Sequence, residues 1–382
     1  GMNIPDDIFD LVDDLAAPLD ITLHDYYFVC ANPTLTDCNG VFAENPATRD
    51  MLCAESYPLP HRMSVDEWRE KFSEKLSKAD RIFSPSQRCR EVYLEYFPHL
   101  TIEVAYHPEW EQSHPYAQPF APSIAAQDQL KVLVIGAMSR EKGADVLERT
   151  ATYRDALNRL QYHLIGYAYK PLAPEVVQHG AYDDEKLDEL IKTLKPHLIW
   201  FPAQWHETYC YTLSAALRSG LPILATDLGS FPERLDGRPL SFIKSWRSTP
   251  IEWNDTLLQI RDLLIGCTEN AGSAFEWHQV SPDGCTFLYS RDYVVQGTGD
   301  TAVPSVALPS LSQITRWCYA PPSQRALDIA VREKMLLSLI RLREQFGIRH
   351  VLRVVPFAWQ RKIKRWLSHR PLHDVINDQA SN

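Results

Sequence analysis

Residues 197–227 read HLIWFPAQWHETYCYTLSAALRSGLPILATD. The apolar run after His197, stopped by Pro202, has the length and composition of a strand buried on both faces. Apolar residues from Tyr209 onward recur at helical spacing, and Gly220 with Pro222 behind it is a helix stop. A second apolar run, Leu221 to Thr226, follows at once. A buried strand, a helix of about ten residues and another buried strand predict a parallel sheet with helices packed on it.

The same alternation extends upstream. LKVLVIG (130–136) is an apolar strand ending in glycine, and EKGADVLERTATYRDAL (141–157) has a helical pattern. YHLIG and VVQHGAY are two more strands, and DDEKLDELIKTL opens with carboxylates suited to a helix N-terminus. Residues 130–265 therefore predict a doubly wound α/β domain. Earlier, the alternation is weaker. We expect a helix in DDIFDLVDDL, a strand in LDITLHDYYFVC, a loop bearing cysteine and proline, a helix in SVDEWREKFSEKLSKA, a strand in RIFSPS, a helix, and the strand TIEVAY. The expected organisation is a short first domain over 1–110, a proline-rich linker over 111–129, a second domain over 130–325 with a loop-rich extension, and C-terminal helices over 326–382.

The 382 residues are 45% hydrophobic, enough for two cores, and the net charge of −10 argues against general nucleic-acid binding. No apolar run is long enough to cross a bilayer and no signal-peptide pattern opens the chain, so a cytoplasmic protein is expected. The eight scattered cysteines fit reduced thiols better than a disulfide framework. Cys30, Cys38 and Cys53 lack the paired spacing of a zinc site. From Arg341 to Arg370 nine basic residues face one acidic residue, Glu344, with Phe357, Trp359 and Trp366 interleaved. Such a segment either lies on an anionic membrane surface or packs its apolar face on the body of the protein.

Ligands of open parallel sheets bind beyond the carboxyl ends of the strands, and the candidate residues fall there. Gly136 permits close approach to the backbone, and Arg140 and Lys142 follow in the turn, where cations meet a diphosphate or simply face solvent. Glu207 precedes a helix whose first amides, Tyr209, Cys210, Tyr211, Thr212 and Leu213, form either a phosphate seat or an ordinary capped start.

The order of VIGAMSREKGADVL, HGAYDDEKLDELI and HLIWFPAQWHETYCYTLSAALRSGLPILATDLGSFPERL, preceded by ITLHDYYFVC and ADRIFSPSQRCREVYLEYFP, resembles the retaining, nucleotide-sugar-dependent "glycosyl transferases group 1" of GT-B fold, in the flavour found in bacterial surface-polysaccharide synthesis. The resemblance implies two Rossmann-like domains facing a cleft, the first of them short. It implies that Lys142 holds the donor diphosphate above Gly136, that Glu207 lies by the donor sugar and reacting phosphate, and that the amides of Tyr209 to Leu213 cradle the phosphates. Gly180 to Tyr182 would lie near the nucleobase, and His24 would face the acceptor and reaction centre, although a lone histidine also fits a structural role.

Two departures accompany the likeness. The arginine that often follows the first glycine is Ala137, with Arg140 as a possible replacement, and the second of the family's two glutamates, which binds ribose, falls on Ala215. The expected partners are a nucleotide-diphosphate sugar and a glycan or lipid-linked acceptor, with peripheral membrane contact through the basic tail. No metal and no cofactor are expected, in keeping with the lack of an Asp-x-Asp motif. A binding or scaffold module without turnover is the competing expectation, favoured by Ala215 and the short first domain.

Overall fold

The computed structural model describes residues 18–56, 63–107 and 116–269, except 154 and 156, together with Phe9, Val12 and nine positions between 332 and 367. The chain divides into two compact units, Gly1–Gly297 and Thr298–Asn382. In the second, the described residues are helical, Leu336 and Leu367 are buried, and the Arg332 guanidinium stands 5.5 Å from the Trp366 ring centroid. Most of the expected helix at the N-terminus, the region 270–325, and the basic run after Arg341 apart from Ile363, Trp366 and Leu367 lie outside the described residues.

The first unit holds two parallel sheets. One has the order β1 (Asp20–Thr22), β2 (Arg81–Ser84), β3 (Glu103–Val104). Between β1 and β2 the chain forms α1 (Pro46–Ser56) and α2 (Val65–Ser77), and α3 (Gln87–Tyr96) joins β2 to β3. Trp68, Phe72 and Leu76, spaced four apart on α2, are buried together, and Ser64 and Glu67 close its first turn as a reciprocal capping box.

The second sheet has six parallel strands. They are β4 (Leu130–Met138), β5 (Leu160–Ala168), β6 (Val176–Gln178), β7 (Leu198–Phe201), β8 (Ile223–Thr226) and β9 (Ser241–Lys244), in the order β6-β5-β4-β7-β8-β9. Alternate residues of β4 enter different cores. Val132 and Val134 pack with Leu147 of α4 (Ala144–Thr152) and with Trp253 and Leu257 of α8 (Pro250–Glu269). Leu133 and Ile135 pack with Ile191 of α5 (Leu187–Leu194), Leu213 and Ala216 of α6 (Tyr211–Ser219) and Phe231 of α7 (Phe231–Leu235). All four β4 side chains are at most 3% exposed, and each such burial stabilises the fold by about 1.5–3 kcal/mol. The sheet is thus covered on both faces, as expected of a doubly wound α/β domain.

Three local expectations are corrected. LDITLHDYYFVC is a strand only to Thr22, because the Asp25 carboxylate accepts from the Tyr27 amide and the Tyr26 amide donates to the Pro33 carbonyl, folding the aromatic run into a buried turn. The loop expected around Cys53 contains helix α1. The helix after Gly143 stops at Thr152 rather than continuing to Leu157, since Tyr153 is extended. A sixth strand, β9, and helix α8 complete the second lobe.

Candidate active site

Counted along the second lobe, the strand order is 3-2-1-4-5-6, so the direction of winding reverses between β4 and β7. The loops leaving the carboxyl ends of these two strands form the crevice where such sheets take ligands. They touch at Gly143. A Cβ there would stand 1.9 Å from the Pro202 carbonyl oxygen, and the residue has φ of 88°, so only glycine fits.

That contact brings Lys142 to Glu207, Nζ to Oε1 at 3.5 Å. Glu207 is buried, with its side chain 8% exposed, while the Lys142 side chain is 40% exposed. The Glu207 carboxylate beside it raises the Lys142 pKa, keeping the ammonium charged. Trp205 Nε1 donates to the same Oε1 at 3.0 Å, leaving Oε2 without a bond to either neighbour. The loop after β8 presses on this segment: a Cβ on Gly229 would lie 2.3 Å from the Glu207 carbonyl oxygen, which accepts from the Ser230 amide.

Helix α6 begins immediately beyond. Cys210 is its N-cap in a left-handed conformation, φ of 72°, with no side chain closing the first turn. A non-glycine residue there costs roughly 1–3 kcal/mol, and the surroundings must impose it. Arg234, 1% exposed, does so by donating to the carbonyls of Tyr209 and Cys210 at 2.8 and 3.0 Å, with its guanidinium 4.0 Å from the Tyr209 ring centroid. The Leu213 amide is already bonded to the Cys210 carbonyl, so of the five expected amides this one is spent within the turn. Burial, reinforced by Glu207, pushes the Cys210 thiol up to about 11, and the neutral thiol pairs with the Thr212 hydroxyl at 3.3 Å.

Gly136, φ of 118°, faces the start of α6, where an added Cβ would meet the Thr212 methyl at 3.6 Å. Gly180 joins it through Gly166, whose amide donates to the Gly180 carbonyl and whose own Cβ would collide with the Gly136 carbonyl at 2.1 Å. Tyr182 is half-buried on this side, close enough to Lys142 for its charge to act on the Tyr182 hydroxyl, which burial raises to about 12. Arg140 is held elsewhere. Its Nε donates to the Tyr169 hydroxyl at 3.0 Å and lies 3.7 Å from Asp145. Ala215 is 1% exposed and sits in the apolar core under α6.

The first lobe reaches the site through His24. Its carbonyl accepts from the Thr208 hydroxyl at 2.7 Å, next to Glu207, and its exposed ring stacks on His107 with centroids 4.5 Å apart. His107 in turn stacks on Tyr211, which is 57% exposed. Burial lowers the His107 pKa to about 3, so the ring is neutral at physiological pH. Trp205, Thr208, Gly229, Arg234 and His107 were not singled out from the sequence. His107 had a usable signal, because it lies three residues after β3, much as His24 lies two after β1.

Taken together, the site offers a charged lysine, a fixed carboxylate, a helix start and an aromatic edge from the other lobe. Among the described residues no group of three or more His, Cys, Asp or Glu side chains is placed to hold a metal ion. No helix among them is long and apolar enough to cross a membrane.

No protein-family model matches the chain, and no curated protein matches it. Among solved structures it is similar to TarM of S. aureus, with 15% identity over 53% of this chain and 42% of that one and a TM-score of 0.39. It is also similar to Anabaena HepE in complex with UDP and glucose, with 13% identity, 69% of each chain and a TM-score of 0.43. A third is the lipopolysaccharide outer core galactosyltransferase WaaB, with 15% identity, 52% of this chain, 59% of that one and a TM-score of 0.38. The chain spans less than two thirds of TarM and of WaaB.

Proposed function

We propose that the crevice between β4 and β7 binds a nucleotide-diphosphate sugar and that the chain transfers the sugar, with retention of configuration, to a glycan or lipid-linked acceptor. The observation that carries this reading is the Lys142–Glu207 pair, 3.5 Å apart at the topological switch point and directly before the start of α6. A diphosphate leaving group gains negative charge as the glycosidic bond breaks. The Lys142 ammonium and the first amides of α6 oppose that charge without rearrangement, an electrostatic role that needs no metal. Glu207, held by Trp205 and Lys142, is left to orient sugar hydroxyls. The acceptor hydroxyl attacks from the face the phosphate leaves, and the departing phosphate oxygen takes its proton. His24, in this reading, meets the acceptor from the other lobe. The setting is surface-polysaccharide synthesis in the cytoplasm, with the basic tail as a peripheral membrane contact.

Incubation with UDP- and GDP-sugars, followed by NMR of the released or transferred sugar, tests the proposal. The α-anomer from an α-linked donor is expected, and Glu207→Gln should lower turnover at least a hundredfold with smaller effect on donor affinity. Inverted product, or full activity in Glu207→Gln, would overturn it. A second reading, a binding module without turnover, is favoured by Ala215, which stands where the resembled family carries its ribose-binding glutamate. Donor binding without hydrolysis or transfer would select it.

A further inference from the structure

A cavity of about 620 Å³ opens at the other end of the second lobe, where β4 and β7 begin rather than end. Its size is that of an ordinary small-molecule site. The apolar part of its lining comes from Phe120 and Pro122 of the connecting segment, Ile191 of α5 and Leu221 after α6. Phe120 is 47% exposed although its backbone is pinned by a hydrogen bond to the Gly220 carbonyl.

The polar part is basic. Lys131, Lys192, Lys195 and Arg218 line the cavity with one carboxylate, Asp188. Two of these cations have structural employment: Arg218 is paired with Asp188 at 3.1 Å, and Lys131 Nζ caps the Leu194 carbonyl at 2.9 Å. The C-termini of α5 and α6 also point here, each worth about half a negative charge. These terms account for part of the basic character and leave a positive remainder, carried by Lys192 and Lys195. Both are exposed and have no ion-pair partner among the described residues. His197 adds a neutral donor, because its Nδ1 accepts from the Lys131 amide at 2.9 Å, which places the ring hydrogen on Nε2.

We infer that this cavity is a second ligand site, separate from the crevice at Lys142, and that it takes an amphiphile with a phosphate monoester head and a hydrocarbon body. The head meets Lys192, Lys195 and His197, and the body lies along Phe120, Pro122 and Leu221. A dianion matches two unpaired ammonium groups, whereas a sugar or a neutral lipid would leave both unanswered.

Calorimetric titration of the full chain with decyl phosphate, decanol and inorganic phosphate provides the test, with Lys192→Ala/Lys195→Ala and Phe120→Ala beside it. All three side chains are exposed, so the variants should fold normally. Saturable binding of decyl phosphate is expected, weakened about tenfold or more in the double lysine variant and several-fold in Phe120→Ala, and unaffected by Lys142→Ala. Co-sedimentation with phosphatidylcholine vesicles containing phosphatidic acid distinguishes a lipid source from a soluble one: lysine-dependent capture by the vesicles names the bilayer, and its absence beside solution binding names a free metabolite. The inference is overturned if decyl phosphate binds no better than decanol or phosphate alone, if the lysine variant binds it unchanged, or if Lys142→Ala abolishes the signal.

Discussion

Lys142 and Glu207 are separated by 65 positions in sequence, and neither is distinctive alone. A lysine before glycine also suits a solvated loop end, and a glutamate before a helix an ordinary cap. The order of the motifs, through its resemblance to a glycosyltransferase group, singled them out. Arg140 looked equivalent and is not. Its partners Tyr169 and Asp145 lie beyond β5 and on α4, and no local pattern reports them. Ala215 was legible as a missing carboxylate, but its surroundings were not. The side chain is enclosed by Leu213, Ala216 and their neighbours, so the position is a core position in this chain. Restoring a glutamate should therefore fail as a rescue. Ala215→Glu is expected to lower unfolding stability by about 3–5 kcal/mol, the cost typical of an uncompensated buried charge, without improving donor affinity. Urea denaturation beside a donor titration checks this, and a stable variant that binds donor more tightly would show that the position faces the crevice.

At the scale of elements, long strands and helices were readable because their apolar residues repeat with the right period over many positions. Strand β1 was overextended because its continuation is equally apolar and aromatic, and only the Asp25 turn ends it. Short contacts between loops leave almost no periodic trace. The meeting of the β4 and β7 loops depends on Gly143, which the sequence shows only as one more glycine near a lysine. Gly143→Ala would have to displace the Pro202 carbonyl and hold φ of 88° with a side chain. We expect a loss of at least about 1–3 kcal/mol in stability, together with donor affinity at least tenfold lower, as the loop carrying Lys142 is pushed from Glu207. Thermal melts and donor titration of the variant give both readouts. An unchanged Tm with unchanged affinity would mean that the loops separate freely.

For the molecule as a whole, several buried ionisable groups set a pH dependence. Burial lowers His107 and His206 to about 3 and His163 to about 4. Unfolded, these rings take up protons near pH 6.5, so the stability they preserve is present above that value and is lost as pH falls toward 4. Glu233 opposes them. Burial raises its pKa to about 7, and its stabilising contribution is full below about 4.5 and lost as pH rises through 7. Three histidines outweigh one glutamate, so stability should fall by on the order of 1–3 kcal/mol per pH unit between 6.5 and 5, more steeply at the acid end. Denaturant midpoints at pH 7.5, 6.5 and 5.5 measure it, and a flat or rising trend on acidification would contradict the assignment of these rings as neutral.

The central claim is that the crevice between β4 and β7 is a nucleotide-sugar site whose diphosphate is held by Lys142. Calorimetric titration of UDP-, GDP-, ADP- and TDP-sugars into the full chain and into Lys142→Ala tests it most directly. One donor is expected to bind selectively, and the substitution should weaken it by about ten- to a hundredfold, the worth of one charge-assisted hydrogen bond. If no donor binds the folded protein at millimolar concentration, or if Lys142→Ala binds as tightly as the parent, the crevice is not the site and the account fails.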